Sequence, residues 1–210
     1  MKTNAELRAA ARAHLGGNIF SNNWLVGLLV VVIYTILASI LSYIPFGAFF
    51  MGPVTVGIAA FFLAATRYES VDIAHMTYAV KSGERFTLTL LVGLFTMLFT
   101  FLWALLFIIP GIVKSYAYAL APYIAVERED LDARGCLDES QRLMDGKKMQ
   151  LFLLDLSFLG WYILGLLFCG IGIYFVEPYH HAARAEFYCA IVEAPIDTTV
   201  EDIPTEGSND

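Results

Sequence analysis

Polar and apolar positions in this chain follow a long wavelength. About every 63 residues one order returns: a short segment with a polar face, a glycine, a long apolar run, a tight corner and a second, more polar run. The glycines are Gly17, Gly83 and Gly146, and the corners carry Pro45 and Gly47, Pro110 and Gly111, and Gly170 and Gly172. Six runs read as membrane spans, over residues 23–44, 48–67, 86–109, 111–127, 149–169 and 173–192. The pattern therefore predicts an all-α membrane protein. Its six transmembrane helices form three repeated hairpins, each preceded by a short amphipathic interfacial helix.

The short helices are legible from their ends. Thr3 and Glu6 have capping-box spacing, and Leu7, Ala11 and Leu15 make one stripe over residues 3–15, stopped by Gly16 and Gly17. The same plan is expected at 70–82, capped by Ser70 or Asp72, with Ile73, Met76 and Val80 as its stripe and Gly83 as its stop. It is expected again at 132–145, capped by Asp132, with Cys136, Leu137, Ser140, Leu143 and Met144 on one side and Gly146 at the end. All three are too short and polar to span, and are expected at headgroup level. Three ordinary soluble loop helices are the plainer alternative.

The odd-numbered spans are long and almost purely apolar. The even ones are rich in small residues and carry Pro53, Pro122 and Pro178 as expected helix breaks. Irregular, polar helices need cover from protein or water, so the even spans are expected inside a ring of odd ones. Span four is the short one, about 25 Å at 1.5 Å per residue, with Pro122 inside it. A re-entrant or tilted half-helix is its alternative.

Composition agrees with the pattern. Apolar residues make up 58% and charged residues 16% of the 210 positions, and mean hydropathy is +0.65. Trp24 to Phe50 and Thr87 to Val113 contain no Asp, Glu, Lys or Arg. The net charge of −7 comes almost wholly from Glu193, Asp197, Glu201, Asp202, Glu206 and Asp210, in a stretch expected to be an acidic, disordered tail over 193–210 after a single domain over 1–192. No dense basic patch suggests nucleic acid. Cys136, Cys169 and Cys189 have neither metal nor redox spacing.

Lys and Arg set the orientation. The three corners have none, whereas Lys2, Arg8 and Arg12, then Arg67, Lys81 and Arg85, then Arg128, Arg134, Arg142, Lys147 and Lys148 occupy the N-terminal arm and the connections. The positive-inside rule predicts cytoplasmic connections and, with six crossings, two cytoplasmic termini.

Ionisable groups within spans are costly and each calls for a reason. They are Lys114, Asp155, Glu177, the His180 and His181 pair, Arg184 and Glu186. Counting residues from the corners pairs Lys114 with Glu177 and Asp155 with Arg184. Glu177 and His181 share a helix face at i, i+4, and His180 and Arg184 share the next. The spacing suits two metal ligands or a proton relay, yet no further ligand set completes a metal site, and no cofactor is expected. A hydrogen-bonded packing cluster is the plainer reading. No nucleophile elbow, P-loop or HExxH motif is present.

The stretches WALLFIIPG (103–111), Lys114-Ser115-Tyr116, Ala121-Pro122-Tyr123-Ile124, Glu139-Ser140, Leu143-Met144-Asp145-Gly146 and LFLLDLSFLGW (151–161) resemble the bacterial integral-membrane "domain of unknown function 975" family. So do Gly170-Ile171-Gly172, Pro178-Tyr179 and AEFY (185–188). The resemblance implies a multi-spanning helical bundle in a bacterial cytoplasmic membrane and no assigned activity. More distantly the chain is similar to membrane domains that accompany some glycerophosphodiester phosphodiesterases. No catalytic domain lies within these 210 residues, so no activity is implied. The expected role is that of a non-enzymatic accessory or scaffold, in contact with membrane lipids and with another membrane protein or a second copy. A small-solute, ion or lipid transporter with a path through the even spans is the alternative, and lipid-modifying chemistry at Glu177 and the histidines is a third.

Overall fold

The computed structural model describes residues 2–16, 21–43, 47–68, 73–106, 108–167 and 171–193. Gly17, Pro45, Cys169, Gly170 and the tail from 194 onward, on which several sequence expectations fall, lie outside them. The described residues form helices α1 (Asn4–His14), α2 (Asn22–Tyr43), α3 (Met51–Tyr68), α4 (Gly83–Leu106), α5 (Ile108–Ala117), α6 (Ala121–Glu127), α7 (Ala133–Leu143), α8 (Lys148–Leu167) and α9 (Ile171–Val192). Two 3-10 segments, Gly47–Phe50 and Ile73–Val80, accompany them. No strand occurs among the described residues.

Helices α2, α4 and α8 are long and apolar enough to cross a membrane, and only 17%, 11% and 22% of their most apolar stretches are buried. Ile36, Ile40, Leu98, Phe101, Leu159 and Ile163 all point outward. The interior belongs to α3 and α9. Val56 and every residue from Ile58 to Ala65 on α3 are buried, as is most of α9 from Ala182 to Ile191. α3 packs against α2, α4, α6 and α9, and α9 against α1, α2, α3 and α8. Small residues make this closeness possible, since in an apolar solvent helices associate by backbone approach and packing more than by hydrophobic burial. At the α3–α4 crossing Gly52 lies so near Gly93 that a Cβ on either would overlap the other's backbone.

Helix α1 has the capping box, with Glu6 N–H donating to Thr3 Oγ1 and Thr3 N–H to Glu6 Oε2, and Gly16 takes φ +90° at its end. Leu7, Ala11 and Leu15 are buried against the bundle, chiefly α9. The stripe expected to rest on headgroups is thus spent on protein. Helix α7 is capped by Asp132, whose Oδ1 accepts from Gly135 N–H at 2.8 Å, and Gly146 follows it at φ +69°.

The second short helix departs from expectation. Residues 73–80 form a 3-10 helix, and Gly83 begins α4 where a stop was expected. Ser82 is the reason: its carbonyl takes the Phe86 N–H and its hydroxyl the Arg85 N–H, so it caps α4 and makes Gly83 the first helical residue. This second short segment is therefore built differently from α1 and α7.

The three expected proline breaks also differ. Pro53 sits in the first turn of α3, where a missing N–H costs nothing. Pro178 lies inside an α9 that continues through it, and Gly27 of α2 leaves room for its ring. Only Pro122 accompanies a break. Span four is two helices, α5 and α6, separated at 118–120, with Pro122 near the start of α6. Pro110 and Gly111, expected at a corner, lie inside α5.

A single side chain supports the break. Ser140 of α7, fully buried, donates to the Ala117 carbonyl at 2.7 Å and accepts from the Leu120 N–H at 3.2 Å. Its hydroxyl so answers one orphan group on each side of the interruption. Cys136, one turn earlier on α7, is buried, and burial pushes its thiol up to about 11. Ser140→Ala should cost about 2–3 kcal/mol by leaving both groups unmet. Denaturant unfolding in detergent measures this, with maleimide labelling of Cys136 reporting when α7 lifts. A loss below about 0.5 kcal/mol would show that the break closes on itself.

Candidate functional site: an intramembrane polar cluster

Helix α8 offers one carboxylate, Asp155, on an otherwise apolar helix, so its surroundings must supply donors. Four arrive. Oδ1 accepts from His180 Nε2 at 2.8 Å and Arg184 Nε at 3.0 Å, and Oδ2 from Arg184 Nη2 at 2.5 Å and the Tyr116 hydroxyl at 3.1 Å. His180 and Arg184 can share the carboxylate because i, i+4 residues lie one above the other on α9. The His180 Nδ1 faces the Tyr162 hydroxyl at 3.0 Å. A ring carrying its proton on Nε2 satisfies both neighbours, donating to Asp155 and accepting from Tyr162. Asp155 and Tyr162 are seven apart on α8, two turns along one face. The cluster thereby joins α5, α8 and α9.

Glu177 and His181 occupy the next face of α9, 3.5 Å apart. The His181 ring stacks on Phe62 of α3, with centroids 5.3 Å apart and planes 14° apart, and meets Tyr34 of α2 edge-on. Phe158 fills the space below, against both Tyr179 and His180.

Of the seven residues that the sequence singles out, five gather here. Asp155 pairs with Arg184, beside His180, and Glu177 pairs with its helix neighbour His181. Lys114 does not join them. Lys114 of α5 instead donates to Gln141 Oε1 of α7 at 2.8 Å and lies over the Trp103 and Tyr118 rings. The expected Lys114–Glu177 pair is not formed. The charge pattern does not single out Tyr116 and Tyr162, although a tyrosine hydroxyl in an apolar run also needs a partner.

Two further networks close the ends of inner helices. Glu186 of α9, 1% exposed, meets His14 at 2.9 Å and Lys2 at 3.3 Å, fastening α1 to α9. Arg67 of α3 meets Glu127 of α6 at 2.9 Å, and the Tyr188 hydroxyl of α9 donates to the same carboxylate at 2.9 Å. Arg67 and Glu127 line a cavity of about 470 Å³ with His75, Tyr78 and Arg128. In the segment before α8, Arg128 beside Asp130 and, on α7, Arg142 beside Glu139 hold those carboxyls below the usual range. Among the described residues no three His, Cys, Asp or Glu side chains converge as metal ligands.

These helices coincide with a recognised sequence unit. Residues 107–195 match the model of the family described as "Protein of unknown function (DUF975)". The match supports the family resemblance seen in the sequence, and it spans α5 to α9 with every residue of the Asp155 cluster. No curated protein and no solved structure matches the chain.

Removing one partner from the cluster strands the other. Asp155→Asn or Arg184→Met alone should cost about 2–3 kcal/mol, below the loss for a fully enclosed pair because the Arg184 side chain is 32% exposed. The double replacement Asp155→Leu with Arg184→Met should cost less than either single change. Unfolding of the four proteins in detergent gives the cycle, and simple additivity would remove the ion pair from the account.

Proposed function

We propose that this chain is a non-enzymatic, multi-pass protein of a bacterial cytoplasmic membrane, an accessory or scaffold for another membrane or envelope system. The observation that carries the reading is the use already made of the polar groups. Asp155 is met by four donors, and His180 is engaged at both nitrogens. Groups so engaged hold helices together and leave neither nucleophile nor free base. The outward apolar faces of α2, α4 and α8 suit contact with lipid. The reading counts α2, α3, α4, α5 with α6, α8 and α9 as six crossings, in three hairpins with cytoplasmic basic connections and termini.

Reporter tags at residues 45, 107 and 170 should report the outer compartment and tags at both termini the inner one. A common compartment for corners and termini would overturn the six-crossing count. Gentle detergent extraction should bring down a reproducible second membrane protein, and repeated isolation of the chain alone would dismiss the scaffold role.

A second reading, a small-solute or ion path, draws on Glu177 and His181, whose side chains stay 31% and 23% exposed. Cysteine placed at either position, in a chain whose own three cysteines are replaced by alanine, should then react with a membrane-impermeant thiol reagent. Inaccessibility at both ends that reading.

A further inference from the structure

The Tyr162 hydroxyl of α8 stands between two acceptors on α9. His180 Nδ1 faces it at 3.0 Å, and the Glu177 carboxylate meets the same hydroxyl. Glu177 and His180 can both reach it because residues three apart are neighbours on a helix surface. A phenol has a single hydrogen to give. With His180 neutral, that hydrogen goes to Nδ1 and the Glu177 carboxylate faces a bare oxygen. Turned to Glu177 instead, it leaves Nδ1 facing the bare oxygen. Either way the cluster is one hydrogen short.

Positive charge is short by the same amount. Asp155 and Glu177 are both carboxylates, while Arg184 is bound to Asp155 through both Nε and Nη2. Lys114, the other basic side chain expected in this cluster, is held by Gln141. The remaining elements around the cluster bring rings and hydroxyls: Tyr34 of α2, Phe62 of α3, Tyr116 of α5 and Tyr123 of α6. On α1, Arg12 lies over the Tyr179 ring, and Lys2 and His14 lie at Glu186. Beside Glu177 there is His181, at 3.5 Å. Glu177 is six residues into α9, about 9 Å from its start at 1.5 Å per residue, where an unbalanced carboxylate is costly.

One proton meets both shortages. Placed on His180 Nδ1, it makes an imidazolium that donates to Asp155 through Nε2 and to the Tyr162 oxygen through Nδ1. Tyr162 then gives its own hydrogen to Glu177, and no acceptor is left facing an acceptor. Arg184 and His180 balance Asp155 and Glu177.

We propose that this cluster binds one proton at neutral pH, held on His180 and coupled to Glu177 through the Tyr162 hydroxyl. The proton serves as the counter-ion of Glu177. The proposal rests on the membrane reading above, because the need to balance Glu177 comes from its place in a span.

The number of hydrogens on His180 tests it. Protein carrying isotope-labelled histidine, in phosphatidylcholine–phosphatidylglycerol bilayers at neutral pH, shows by solid-state NMR whether an imidazole bears one hydrogen or two. His180→Gln identifies the signals. His180 should bear two. Glu177→Gln removes the carboxylate that calls for the proton and should return His180 to one hydrogen, on Nε2. Tyr162→Phe keeps the ring, removes the bridge and should do the same. Unchanged His14 signals, at Glu186, certify the fold of each variant. One hydrogen on His180 in the unaltered protein would overturn the proposal, and that measurement decides even if a variant does not fold. Two hydrogens kept in either folded variant would overturn it as well. Trp103 of α4 and Trp161 of α8, both exposed, report separately on the bilayer through quenching by lipids brominated on their acyl chains. Unquenched tryptophans would overturn the membrane reading, whatever His180 shows.

Discussion

A carboxylate on an apolar helix is the constraint that sets the arrangement of the last three long elements. Asp155 is only 15% exposed on an apolar helix, so it needs enough donors to hold its charge, and those it has come from α5 and α9. Arg184 and His180 meet that need only if α9 lies antiparallel along α8 in a single register. Tyr116 meets it only if α5 ends beside them. The preference is strong because the alternative is an unpaired ion in a medium that stabilises ions poorly.

The interior shows the complementary rule. α3 buries Phe61, Phe62 and a series of alanines, and carries its few polar groups at its ends, where Arg67 finds Glu127 and Tyr188 closes the triangle. The stretch of α3 from Val56 to Ala65 carries no polar side chain. Helix–helix contact there is set by how closely backbones approach, which is why glycine faces glycine at the α3–α4 crossing and why Gly27 accepts the ring of Pro178.

Features whose cause is local could be read directly from the chain. The Thr3–Glu6 box, the Asp132 cap and the glycines after α1 and α7 depend on residues within a turn of each other. The Asp155–Arg184 pair could also be anticipated, because few charges occur in the runs and each must find an opposite one. Gly83 was harder: a glycine after a short helix reads as a stop until Ser82 claims the cap of the next one. The partner of Lys114 could not be found by counting from a corner. The count starts from a corner at Pro110 and Gly111, and both of these already lie inside α5. Tyrosines were passed over because their rings suit an apolar run, while their hydroxyls do the joining.

The same Ser140 contact has a mechanical consequence. One hydroxyl hydrogen and one lone pair serve two backbone groups on opposite sides of an interruption, so the seat of α7 is defined in both directions along its axis. A slide of one residue, about 1.5 Å, breaks both bonds at once. The polar connection before α8 is thereby pinned to the buried part of the bundle, and its position and that of the interrupted helix are one degree of freedom.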